Sequence, residues 1–165
     1  MKLSRWLRHS LLPDWWLQRE FTRDDLASIG DAIALGEKTH RGELRFVVEA
    51  ALPLTALWHD QSTRARAIEL FSNLRVWDTE ENSGILIYVQ LLDRRVEILA
   101  DRGIAARVPQ AEWEVICRAM EASFRRAEWR QGALQAVTRA GELLANHFPA
   151  GADNPNELPD KPLVL

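Results

Sequence analysis

Cysteine is nearly absent. Cys117 is the one thiol in 165 residues, so the chain can build neither an internal disulfide nor a cysteine-based zinc cluster, and a reducing compartment suits it. No apolar run approaches the roughly 20 residues a membrane span requires. The amino end lacks the apolar core and small-residue cleavage site of a secretory signal. An excess of positive charge is missing too. The net charge of −3 excludes a general nucleic-acid binder with a basic face. Chemistry-bearing motifs are equally scarce. There is no phosphate-cradling glycine-rich loop and no G-x-S-x-G elbow. A Cys-x5-Arg loop, an aspartyl-phosphatase motif and a His-rich bimetal set are also missing, and no spacing recommends a Ser/His/Asp triad. No internal repeat is visible.

What remains is an ordinary globular composition, 47% apolar and 27% charged, long enough for one domain with a real core. The charge is uneven. Lys2, Arg5, Arg8, Arg19 and Arg23 face only Asp14 and Glu20, so residues 1–23 are net +3 and the remainder net −6. Residues 1–21 also carry Leu3, Trp6, Leu7 and Leu11 at helical spacing, then Pro13, Trp15 and Trp16. Two readings stand for this segment: a cap packed on the domain or on a second copy, or an interfacial helix whose Trp rings and cations meet anionic lipid.

Thr22-Arg-Asp-Asp25 predicts a helix start with a capping Thr and dipole-matched acids. Leu26, Ile29, Ile33 and Gly36 form one face, Gly42 is the expected stop, and His40 a cation of the last turn. Glu43 to Ala50 alternates as a strand. Residues 51–62 read as a loop partly anchored by Leu54, Leu57 and Trp58. The adjacent His59 and Asp60 make a poor catalytic pair. Thr63 to Arg75 follows as a helix with Ala67, Ile68, Phe71 and Leu74 on one side. Ile85 to Val89 is an unbroken apolar run bounded by turn residues, the signature of a strand buried on both faces. Arg95 to Ala100 alternates behind a tight turn, completing a hairpin. The strand–helix–strand order makes the first two strands parallel through a right-handed crossover. A short helical piece then leads to Pro109, which suits a first helical turn. The stripe Trp113, Ile116, Cys117, Met120, Phe124 and a second long helix over Trp129 to Leu144 follow. Cys117 lies in that stripe as a small hydrophobe. The reading is a three-layer α/β/α sandwich around a small mixed β-sheet, spanning residues 22–148. Residues 149–165, with four prolines, form an extended tail. Its apolar Leu163, Val164 and Leu165 are expected to dock on their own domain, the alternative being a partner contact.

Those strand directions gather three loops, residues 39–43, 78–83 and 101–103, at one end of the sheet. They carry Glu43, Asp78, Glu80, Glu81, Asn82 and Asp101. Clustered carboxylates with an amide oxygen suit a hard cation such as Ca²⁺ or Mg²⁺, although the spacing is not that of an EF-hand. The other reading is a solvated acidic turn with Arg41 and Arg102 as counter-charges.

Several short motifs, in order, resemble the TPM domain family. They are Thr39-His40-Arg41-Gly42-Glu43-Leu44, Trp77 before the acidic loop, Asn82-Ser83-Gly84-Ile85-Leu86, Asp93-Arg94 and Gly103-Ile104. The ending Asn156-Glu-Leu-Pro-Asp-Lys-Pro162 is similar to a bacterial branch of that family without an export signal. The resemblance implies the α/β/α sandwich. It implies either an accessory module of membrane proteins or a calcium-binding acid phosphatase. Two functions are therefore carried forward. One is a non-catalytic interaction module, cytoplasmic and peripheral at the inner face of the membrane, with a protein partner, Ca²⁺ or Mg²⁺ at the acidic loops, and contacts through Trp6, Trp15, Trp16 and Leu163–Leu165. The other is a divalent-cation-dependent acid phosphatase in which Asp78 or Asp101 holds the ion that activates water.

Overall fold

The computed structural model describes residues 19–151 and 154–165. Helix α1 (Arg23–Gly36) opens on a complete capping box. The Thr22 hydroxyl accepts from the Asp25 amide at 3.1 Å and the Asp25 carboxylate accepts from the Thr22 amide at 3.0 Å. Phe21, grouped by composition with the Trp-rich end, is in the core, edge-on to Phe124 at 5.9 Å.

Four strands form one sheet in the order β3-β2-β1-β4. β1 (Leu44–Glu49) and β2 (Ile85–Gln90) are parallel, and β3 (Arg95–Ala100) returns antiparallel to β2. Ile85 through Val89 have no exposed surface, as the unbroken apolar run requires. Alternation divides the sheet cleanly. Phe46, Val48, Ile87 and Ile98 pack against α1, α5 (Gln110–Arg125) and α6 (Trp129–His147). Val47, Leu86, Tyr88 and Leu99 pack on the other face, against Ala67 and Leu70 of α3 (Thr63–Asn73). This is the expected three-layer sandwich. Trp113, Ile116, Met120 and Phe124 are buried, and Cys117 beside them has its thiol pushed up to about 12 by burial.

Four local expectations change. α1 stops at Gly36, six residues before Gly42, because His40 turns inward. It is 2% exposed, its Nδ1 lies 2.8 Å from the Gly42 carbonyl, and burial lowers its pKa. It is therefore no terminal cation. Residues expected as loop contain the short α2 (Leu54–Trp58), and Trp58 stands 75% exposed instead of anchoring. Ile68 is 55% exposed, and Leu70 takes the core position on α3. The tail is not merely extended. Leu163–Val164 form β4, parallel to β1, with the Leu165 amide on the Val48 carbonyl at 2.9 Å and the Ala50 amide on the Leu165 carbonyl at 3.1 Å. The apolar end docks in cis.

Candidate functional site: the acidic end of the sheet

The expected convergence of loops is present. The Asp101 amide donates to the Gly84 carbonyl at 2.9 Å, which places the end of β3 beside the start of β2. The Gly103 amide donates to the Asn82 carbonyl, also at 2.9 Å. Glycine is required at both crossings. A Cβ on Gly84 would lie 1.9 Å from the Val76 carbonyl oxygen, and one on Gly103 would lie 2.3 Å from that of Glu81. Asn82 adopts a left-handed φ of 52°, which asparagine tolerates. The short α4 (Arg102–Ala105) begins here, with Asp101 as its cap.

Each acidic residue has a definite place. Glu43 is 3% exposed, and its Oε2 accepts the Leu158 amide of the tail at 3.0 Å. Glu81 pairs with Arg41 at 2.8 Å. The Asn82 amide oxygen accepts from Arg102 Nε at 2.7 Å. Asp101 Oδ1 caps the Arg102 amide at 2.7 Å. Asp78 and Glu80 are exposed, and the Glu80 amide is held by the Glu157 carboxylate at 3.0 Å. Two oxygens remain. Asp101 Oδ2 and Glu81 Oε2 are buried and have no hydrogen-bond partner, a costly state for a carboxylate oxygen. Both suit a hard cation. Among the described residues no group of three or more His, Cys, Asp or Glu side chains could hold a metal, so an ion here would complete its shell with carbonyl and water oxygens. Glu81 and Asp101 fit that demand; Glu43 is already engaged by the tail.

A second acidic group is nearly invisible in the sequence. Glu37, at the end of α1, lies against Glu43 and Asp160, in a recess of about 370 Å³ that Lys38, Asn154 and Asn156 also line. Burial first, then the charges of Glu43 and Asp160, push the Glu37 carboxyl up to about 8. Burial likewise raises Glu43. The one advance signal was the acidic content of the Asn156–Pro162 ending. His59 and Asp60 are exposed past the other end of β1. Trp6, Trp15 and Trp16 lie outside the described residues. No described helix is long and apolar enough to cross a membrane.

Comparison with known proteins agrees with this architecture. A family model described as the TPM domain matches residues 18–143. Among solved structures, the chain is similar to the NMR structure of BA42 from the psychrophilic bacterium Bizionia argentinensis. The TM-score is 0.77 and the identity 30%, over 88% of this chain and 95% of that one. None of the curated proteins matches.

Proposed function

Given that this chain belongs to the TPM domain family, we propose that it is a non-catalytic interaction module with a cation-responsive acidic end. The observation that carries this reading is how the carboxylates are employed. Glu43, Glu81, Asp101 and Glu157 hold loops and tail together, through Leu158, Arg41, Arg102 and Glu80. Among the buried carboxylate oxygens of this end, Asp101 Oδ2 and Glu81 Oε2 are left for an ion. Ca²⁺ or Mg²⁺ there would supply the positive charge that the crowded carboxylates lack, and would tie the second loop to the third. The reading keeps the protein at the cytoplasmic face of a membrane, with the basic, Trp-rich residues 1–21 as the contact and a membrane protein as the partner.

The alternative, a cation-dependent acid phosphatase, would use the same two oxygens to hold an ion that activates water. Hydrolysis of p-nitrophenyl phosphate at pH 5, with millimolar Ca²⁺ or Mg²⁺ and then with chelator, separates the two. The interaction module gives no ion-dependent turnover. Chelator-sensitive turnover that disappears in Asp101→Asn overturns the non-catalytic reading.

A further inference from the structure

The tail does more than cover an edge. It runs along one lane of β1, and buried charged side chains grip its main chain. At the start of the lane, Glu43 accepts the Leu158 amide at 3.0 Å. Two residues on, Arg45 Nη1 donates to the carbonyls of Pro159 and Lys161, at 2.6 Å each. Arg45 is 8% exposed and Glu43 3%. Further along, Val47 pairs with Leu163 and Val48 with Val164. Between these grips, the Leu158 side chain enters the apolar layer of Val47, Ala67, Leu70 and Leu86. Pro162 rests on α1 where Gly30 leaves room, its Cδ 3.4 Å from the position a Cβ would take.

Charges buried in a core normally face each other. Here they face peptide groups of a proline-rich segment without helical period. Main-chain grips, one apolar slot and parallel strand addition are the elements of peptide recognition by an exposed sheet edge. Such grips read chain shape more than side-chain identity. An extended segment with a leucine, two prolines and a short apolar run would satisfy each of them.

We propose that the lane along β1 and α1 is a peptide-recognition groove, that residues 154–165 are its cis occupant, and that its trans occupant is an extended segment of a partner protein with the same Leu-Pro-x-x-Pro-apolar pattern. This inference rests on the interaction-module reading and names the partner's chemistry. The prolines keep such a segment extended before it binds, which lowers the ordering cost. In the intact chain the tethered tail competes at high effective concentration, so the groove opens to a partner only when the tail lifts.

Two measurements test it. Hydrogen exchange on the full chain compares the Leu158, Leu165 and Ala50 amides with those of β2. The groove requires the first set to exchange at least tenfold faster, through an opening that leaves β2 closed. A folded chain carrying a protease site between Gly151 and Asn154 is then nicked and mixed with a fluorescent Asn154–Leu165 peptide. Saturable exchange for the nicked tail is expected, weakened at least tenfold by Leu158→Ala in the peptide and by Arg45→Met in the protein. Because Leu158→Ala is made in the peptide, that comparison does not depend on a variant protein folding. Tail amides exchanging at the β2 rate, or a nicked tail that cannot be displaced while the core stays folded, overturn the groove. Dimers of the intact chain that excess peptide converts to monomers assign the occupant to a second copy and overturn the choice of a partner protein. Failure of the groove without ion-dependent phosphatase turnover leaves the interaction-module reading standing. Turnover with peptide exchange removes that reading and leaves the groove.

Discussion

At the carboxyl end of β1, Glu49 receives Arg66 through Nη2 at 2.7 Å and through Nε at 3.2 Å, and the Tyr88 hydroxyl at 2.5 Å. At the amino end of the same strand, Glu43 receives main-chain amides of the tail, among them that of Leu158, 115 residues away. Both carboxylates are almost fully buried. Glu49 has a dedicated cation, which Glu69 also braces at 2.8 Å. Around Glu43, by contrast, stand Glu37, Glu157 and Asp160, and burial with mutual repulsion raises the pKa values of Glu37 and Glu43. One end is neutralised inside the protein. The other carries excess negative charge and two partnerless oxygens. That difference separates a closed structural network from a surface of unmet charge, on which the proposed responses to ions and partners depend.

The comparison breaks most visibly at the closed end. Arg66→Met should cost about 3–5 kcal/mol, because it strands a buried carboxylate. Replacing both partners, Glu49→Gln with Arg66→Met, should recover most of that. Urea unfolding measures both, and a single-variant loss below about 1 kcal/mol would mean that the two ends do not differ as described.

At the open end, Ca²⁺ or Mg²⁺ at about 100 times its Kd should stabilise chelator-treated protein by about 2.7 kcal/mol. That is a rise in Tm of roughly 5–10 °C for a chain of this size. Asp101→Asn and Glu81→Gln should abolish the rise. A wild-type Tm that ignores both ions removes the cation.

Protons give a smaller effect with a definite sign. The Glu37 carboxyl moves from the ordinary 4.5 up to about 8 on folding. Its contribution is therefore complete below pH 4.5 and is lost as pH rises to about 8, where the folded form also ionises. Between pH 5 and 9 a shift of that size corresponds to a fall of about 4 kcal/mol, which solvent screening in the open recess should reduce to about 2 kcal/mol. Glu37→Gln should flatten the profile and be more stable than wild type at pH 9. An unchanged slope would show that Glu37 is not the group responsible. Smallest of all, Arg41→Ala should cost no more than about 1 kcal/mol, since both members of its pair with Glu81 are partly exposed (40% and 31%).

Much of this was written in local pattern. The capping Thr22, the apolar run from Ile85 to Val89, the hairpin and the stripe from Trp113 to Phe124 each declare themselves within a few residues, because side-chain period and turn chemistry are local. So was the convergence of the three acidic loops, which follows from strand direction alone. The tail's partners were not legible. Asn154 reaches the Glu37 carbonyl across 117 residues and Arg45 grips Lys161 across 116, and a two-residue strand has no period to read. The end of α1 was misplaced for a related reason. Gly42 has the look of a helix stop, yet the packing of His40, which lies against both Gly36 and Gly141, turned the chain earlier.

The order of the sheet carries a consequence in time. β4 is synthesised after β1, β2 and β3, and it pairs with a strand made long before. At ~5–20 residues per second, Glu43 emerges on the order of ten seconds ahead of Leu158, its partner 115 residues later. Throughout that interval β1 is a bare edge, the kind of template on which nascent chains aggregate. Its lane then displays Glu43 and Arg45 to the surroundings, and charges pointing inward from an edge discourage illegitimate pairing. The residues that hold the tail in the finished protein thus guard its place while the tail is still being made.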